Sequence, residues 1–148
     1  MKDTWTHHHV GIPVKDLDVA MANFAAIGAE FQTPFLIDSR NMAEYLVYGK
    51  TPDPAVQTRG VMGKMGTMGI ELLQPVAGHT VHRELLEKSG EGIGHIAYKV
   101  ENLEAETAEL EHQGFEVILS IRPKDRRTAL YIDTRGRLSN LIIELMQG

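Results

Sequence analysis

The chain has no cysteine among its 148 residues. Disulfides and thiolate metal ligands are therefore excluded, and the composition fits a cytoplasmic protein. No apolar run approaches the roughly 18 residues of a membrane-spanning helix. The opening residues, Met-Lys-Asp-Thr-Trp-Thr-His, lack the apolar centre of a signal segment. No membrane partner is expected. A positive charge balance is missing too: the formal net charge is −5, which argues against a nucleic-acid partner. One local exception stands out, because Arg122, Lys124, Arg126, Arg127, Arg135 and Arg137 far outnumber Asp125 and Asp133 in the same stretch.

What is present is an internal repeat. His9-Val-Gly-Ile-Pro-Val14 sets against His95-Ile-Ala-Tyr-Lys-Val100, and the match continues without a gap. Leu17 falls on Leu103, Asp18 on Glu104, Ala22 on Ala108, Phe24 on Leu110, Gly28 on Gly114 and Glu30 on Glu116. A shared pattern of this kind marks a duplicated unit. At this length one domain with a sizeable core is expected, built here from two similar halves. The first module covers about 5–74, a connector about 75–91, and the second module about 92–147.

Alternation over His7 to Val14 reads as a strand with His7, His9 and Gly11 on one face and His8, Val10, Ile12 and Val14 on the other. Three consecutive histidines invite the reading of a tag remnant, but the strand pattern runs straight through them. Asp16 is placed to cap a helix from Leu17 to about Ile27, where Leu17, Ala20, Met21, Phe24 and Ile27 recur at helical spacing before Gly28. Residues 29–37 and 43–49 read as strands around a polar turn, and residues 56–63 and 67–73 as a hairpin. In the connector, Thr80 starts a short helix that ends at Ser89-Gly90. The second half repeats the order: a strand at 92–100, a helix from Leu103 capped by Asn102, and strands at 115–121, 129–133 and 140–146. The fold class expected is α+β, two tandem βαβββ modules forming a curved, cup-shaped mixed sheet.

Each half opens with a strand histidine and closes with a glutamate in an apolar strand, Gly69-Ile-Glu71-Leu-Leu and Ile142-Ile-Glu144-Leu-Met. A carboxylate in such a run costs several kcal/mol if buried and unpaired. His9 is equivalent to His95 and Glu71 to Glu144, so pseudo-twofold symmetry predicts one cluster of four. Two imidazoles and two carboxylates suit Zn²⁺, Co²⁺, Ni²⁺, Mn²⁺ or Fe²⁺. Metal bonds near 2.0–2.2 Å then require His9 within about 5 Å of His95 and Glu144. Ordinary imidazoles, titrating near 6.5, predict metal affinity falling below about pH 6. The other histidines, His7, His8, His79, His82 and His112, receive no role and are expected mostly on the surface.

The repeat, the two His-initiated strands and the two Glu-terminated hairpins resemble the vicinal oxygen chelate superfamily over essentially the whole chain. That superfamily includes glyoxalase I, methylmalonyl-CoA epimerase and extradiol dioxygenases. The resemblance implies paired modules around a divalent metal held by His9, Glu71, His95 and Glu144. This ligand set is similar to that of glyoxalase I, whereas the epimerases commonly carry Gln at the position of Glu71. The stretch Glu71-Leu-Leu-Gln-Pro75 and the long connector before His95 resemble the epimerases more closely. What the resemblance implies is a metal-dependent isomerase, epimerase-like, that takes a proton from beside the carbonyl of a small acyl-CoA or 2-oxoacid derivative and passes through a metal-stabilised enediolate. Glu144 or Glu71 would be the base. A glyoxalase-type lyase is the alternative, with an extradiol dioxygenase or a metal-free, ligand-sequestering resistance protein behind it. The epimerases' separate carboxylate sits on a strand before the first hairpin Glu; here residues 56–66 contain no acid, and neither Glu44 nor Asp53 aligns with it. Arg126 and Arg127 are candidates to hold substrate phosphates, and a homodimer is expected.

Overall fold

The computed structural model describes residues 2–148. Among these residues, ten strands and three α-helices follow in the order β1 (Thr6–Pro13), α1 (Leu17–Ala26), β2 (Glu30–Phe31), β3 (Phe35–Asp38), β4 (Glu44–Val47), β5 (Gln57–Met65), β6 (Met68–Ala77), α2 (Val81–Ser89), β7 (His95–Val100), α3 (Leu103–His112), β8 (Glu116–Arg122), β9 (Ala129–Asp133) and β10 (Ile142–Gln147). The strands form one curved mixed sheet in the order β2-β5-β6-β1-β7-β10-β9-β8-β4, with β3 also paired to β5. The α+β architecture is the one expected from the repeat.

Local chemistry explains the repeated helices. Asp16 Oδ1 accepts from the Val19 amide at 3.0 Å, and Asn102 Oδ1 accepts from the Ala105 amide at 3.0 Å. Each cap satisfies one of the amides that a helix start leaves without a partner. Gly28 and Gly114 then turn left-handed, at φ 103° and 88°, and stop both helices at equivalent places. On the outer face of the sheet, α1 buries Leu17 against Val14, Val61 and Leu72, and α3 buries Leu103 against Val100, Ile132 and Leu145.

The two modules meet where β1 pairs antiparallel with β7. His9 lies opposite Ala97, and Gly11 opposite His95. Because Gly11 is the repeat equivalent of Ala97, this register maps onto itself, and a pseudo-twofold axis passes between the two strands. Parallel pairing repeats the relation on both flanks, with Gly11 opposite Glu71 on β6 and Ala97 opposite Glu144 on β10. Directly paired residues share a face. His9, Glu71, His95 and Glu144 therefore all project to the inner face from the four central, adjacent strands.

Three departures from the sequence expectations matter. First, β1 carries a bulge between His7 and His9, so His7 lies opposite Tyr98 rather than beside His9. The His7 ring packs edge-on to Tyr98, 5.9 Å between centroids, on the outer face. A bulge adds one residue and reverses the alternation behind it. Second, residues 29–37 are not one strand, because the chain breaks at Gln32-Thr-Pro34. Proline has no amide to give to a ladder. Third, β4 leaves the first module and pairs with β8 of the second, Val47 opposite Leu119. It delivers Tyr45 into the cluster of Ile118, Ile121 and Tyr131. The connector helix α2 enters the cup as well, burying Val81 and Leu85 in that same cluster with Ile142.

Candidate metal centre

The four side chains converge tightly. His9 Nε2 lies 3.2 Å from His95 Nε2, 3.2 Å from Glu144 Oε2 and 3.6 Å from Glu71 Oε1. His95 Nε2 lies 3.0 Å from Glu144 Oε2 and 3.7 Å from Glu71 Oε1. One ligand atom from each of the four residues falls within 4.8 Å of every other. The distance condition set by the sequence pattern is met. His9, His95 and Glu144 are buried, while the Glu71 side chain keeps 14% of its surface open to solvent. Glu71 is thus the edge of the cluster that solvent reaches.

Burial alone would make His9 a weaker base, but the carboxylates of Glu144 and Glu71 outweigh it and raise the imidazole to about 10. Burial likewise opposes ionisation of Glu144, yet His9 and His95 hold that carboxyl well below the usual carboxylate range. Without a cation the cluster therefore keeps its charge by trapping a proton on the imidazole side. This arrangement is imperfect: Glu144 Oε2 is buried with no aligned hydrogen bond despite its short distances, and His95 Nδ1 has none either. A divalent ion fits this donor set, since two nitrogens and two carboxylate oxygens converge and a buried oxygen is left unsatisfied.

Gly11 makes room for the cluster. A Cβ there would stand 1.8 Å from His95 Cε1, inside the imidazole. Gly11→Ala is expected to turn His95 away, to cost about 1–3 kcal/mol of stability and to lose the site. Thermal unfolding and metal content of the purified variant check this together, and an unchanged metal content would contradict the placement of His95.

Two buried neighbours complete the inner surface, and the sequence had singled out neither. His82 on α2 is 2% exposed, with its ring 6.0 Å from that of His95 and 5.5 Å from Tyr131. It is not a surface residue as expected. Burial and the neighbouring His95 push it down to about 3, so it is neutral. The Tyr131 ring lies edge-on to His95 at 4.9 Å, and burial, then the charges of Glu144 and Glu71, raise its phenol well above 10. Leu85 was the available signal for His82, since residues three apart on a helix lie on one face and both are buried on α2. Glu44 projects away from the cup: Ser120 donates to it at 3.3 Å, and Arg122 lies 4.0 Å away. Arg126 and Arg127 are exposed in the turn between β8 and β9. Arg127 borders an outer-face cavity of about 670 Å³ beside Glu104, Thr107 and Glu111 of α3, so the structure does not bring these arginines into the four-residue cluster.

The sequence profile of the Glyoxalase/Bleomycin resistance protein/Dioxygenase superfamily matches residues 8–131. The chain belongs to this superfamily. Solved structures of the superfamily fold share its architecture at low identity. Methylmalonyl-CoA epimerase from Mycobacterium tuberculosis superposes with a TM-score of 0.69 at 23% identity, covering 95% of this chain and 86% of that one. A variant of the Streptomyces coelicolor methylmalonyl-CoA epimerase, in complex with 2-nitronate-propionyl-CoA, gives 0.67 at 19%, covering 96% of each chain. A hypothetical protein from Bacillus halodurans C-125 gives 0.68 at 19%, covering 99% of this chain and 96% of that one. No curated protein matches the sequence. Within the superfamily fold, the repeat of this chain places its two His/Glu pairs on the inner face, and among the described residues no helix is long and apolar enough to cross a membrane.

Proposed function

We propose that the protein is a divalent-metal-dependent, epimerase-like isomerase that moves a proton at the carbon beside the carbonyl of a small acyl-CoA or 2-oxoacid derivative. The observation that carries this reading is the convergence of His9, Glu71, His95 and Glu144 within 4.8 Å. A divalent ion bound there supplies Lewis acidity, drawing charge from a substrate carbonyl and acidifying the adjacent C–H. His9 and His95, whose Nε2 atoms face each other at 3.2 Å, would hold the ion through those nitrogens. Glu71 and Glu144 come from strands on opposite flanks of the histidine pair, so a carbon above the cluster has a carboxylate on either side. Two carboxylates related by a pseudo-twofold axis suit removal of a proton from one face and its return to the other. Glu71, the less buried of the two, is the carboxylate freer to leave the metal and take the proton. Glu144, held more closely by the two imidazoles, faces the other side of that carbon and would return the proton there.

A glyoxalase-type lyase is the second reading. It is favoured by the same two-glutamate donor set and by Glu44 pointing out of the cup. Both readings require exchange of a carbon-bound proton. Metal-loaded protein incubated in D₂O with a panel of 2-oxoacids, 2-oxoaldehyde adducts and acyl-CoA esters should put deuterium beside the carbonyl of one member. Inversion of configuration marks an isomerase, and a changed carbon skeleton or oxidation pattern a lyase. Binding without any exchange would overturn both in favour of sequestration.

The acyl-CoA branch has its own test at the basic turn. If Arg126 and Arg127 hold phosphates, Arg126→Ala or Arg127→Ala should weaken CoA-ester binding by roughly ten- to over a hundred-fold, because each charge-assisted contact contributes about 1.5–3 kcal/mol. Metal content should stay the same. Effects within about 0.5 kcal/mol would mean solvated turn residues and would move the substrate to the small 2-oxoacid class.

A further inference from the structure

We propose that His8 is a positioning residue that holds His9 in its metal-ligating tautomer, an inference that rests on the metal-centre reading above. The bulge in β1 creates the contact. In an unbroken strand, consecutive side chains point to opposite faces, and His8 would leave His9 alone. Here the extra residue brings His8 Nδ1 to 2.7 Å from His9 Nδ1, with the rings 5.0 Å apart and inclined at 78°. Gly69, opposite this segment on β6, admits the bulge: a Cβ there would stand 2.4 Å from the His8 carbonyl oxygen. The distortion is therefore built into two strands.

Two ring nitrogens at 2.7 Å cannot both carry hydrogen, nor can both present lone pairs, so one donates to the other. The other nitrogen of His9 decides which. His9 Nε2 faces His95, Glu144 and Glu71 and must be bare to bind a cation. His9 Nδ1 then carries the proton and donates, and His8 Nδ1 accepts. The half-exposed His8 keeps its own proton on Nε2. Ligating histidines commonly use their second nitrogen in this way, and removal of that partner weakens metal binding by roughly ten- to a hundred-fold. Neighbouring histidines in sequence fill both roles only because the strand is bulged.

Two variants separate hydrogen bonding from packing. His8→Asn keeps an acceptor near the Nδ1 position without the ring; His8→Phe keeps the ring without the acceptor. Zinc affinity by competition with a chelator should stay within a few-fold of wild type in His8→Asn and fall roughly ten- to a hundred-fold in His8→Phe. In zinc-loaded, ¹⁵N-labelled wild type, His9 should show a slowly exchanging Nδ1–H, retained in the Asn variant and lost in the Phe variant. The reverse order of the two variants, or equal zinc affinity in both with that proton signal unchanged, would overturn the role of His8. A wild type that binds none of zinc, cobalt, nickel, manganese and iron would instead overturn the metal-centre reading. In that case the His9 Nδ1–H signal of the metal-free protein still decides the contact itself.

Discussion

Glu144→Gln is expected to remove stoichiometric metal binding and to weaken the metal-free fold by about 3 kcal/mol at pH 6. Glu144 is 5% exposed and lies 3.2 Å from His9 Nε2 and 3.0 Å from His95 Nε2. Taking one partner out of a buried charged group costs about 3–5 kcal/mol, because the remaining charge loses its compensation. The lower end applies here, since Glu71 still faces His9 at 3.6 Å and His9 can shed its proton. The sign follows from the two groups. His9, raised to about 10, stabilises the metal-free fold fully below its ordinary value of 6.5 and loses that contribution as pH rises through about 10. Glu144, lowered, contributes above its ordinary 4.5 and loses that as pH falls. Metal-free wild type should therefore be most stable between about pH 5 and 6.5 and decline towards pH 10, whereas Glu144→Gln should decline much less. Urea unfolding with a chelator, repeated across pH, measures both. Glu71→Gln should cost less stability, since its side chain is partly solvated. Equal pH slopes in wild type and Glu144→Gln would contradict the His9–Glu144 pairing.

Metal affinity is expected to move in the opposite direction, tightening about tenfold per pH unit from pH 6.5 to about 9. Ordinary imidazoles would release the metal only below about pH 6. The structure moves that window upward, because His9 in the metal-free cluster keeps a proton up to about 10. Each ion bound must displace that proton, and a one-proton release gives one power of ten per unit. Affinity at pH 8.5 should thus exceed that at pH 6.5 by about a hundredfold. Titration calorimetry in buffers of different ionisation enthalpy counts the proton directly. An affinity flat over that range, with no proton released, would rule out His9 as a ligand that starts protonated.

Much of the site was legible because it is written twice. His9 and His95, with Glu71 and Glu144, stood out as equivalents in a duplicated pattern, and the registers of β1 with β6 and of β7 with β10 bear that equivalence out. Asp16 and Asn102 marked the helix starts and Gly28 and Gly114 their ends, because a cap and a left-handed stop are decided within a few residues. Local signals of this kind survive in one dimension, and together they determined the fold class and the four-residue set.

Tertiary structure alone decided the rest. Whether β4 pairs with β3, its sequence neighbour, or with β8 depends on which edge is open, and nothing within Glu44–Val47 says so. His82 reads as one more polar residue in a connector until α2 settles in the cup and seals it against Tyr131. The bulge at His8 inverts the face of His7 and sets two histidines Nδ1 to Nδ1. That bulge needs Gly69 across the sheet to accept its carbonyl, and alternation counted along one strand cannot register a space that belongs to another. Periodicity reports which residues a segment tends to bury, whereas the identity of the surface that buries them is settled only when distant segments compete for the same contacts.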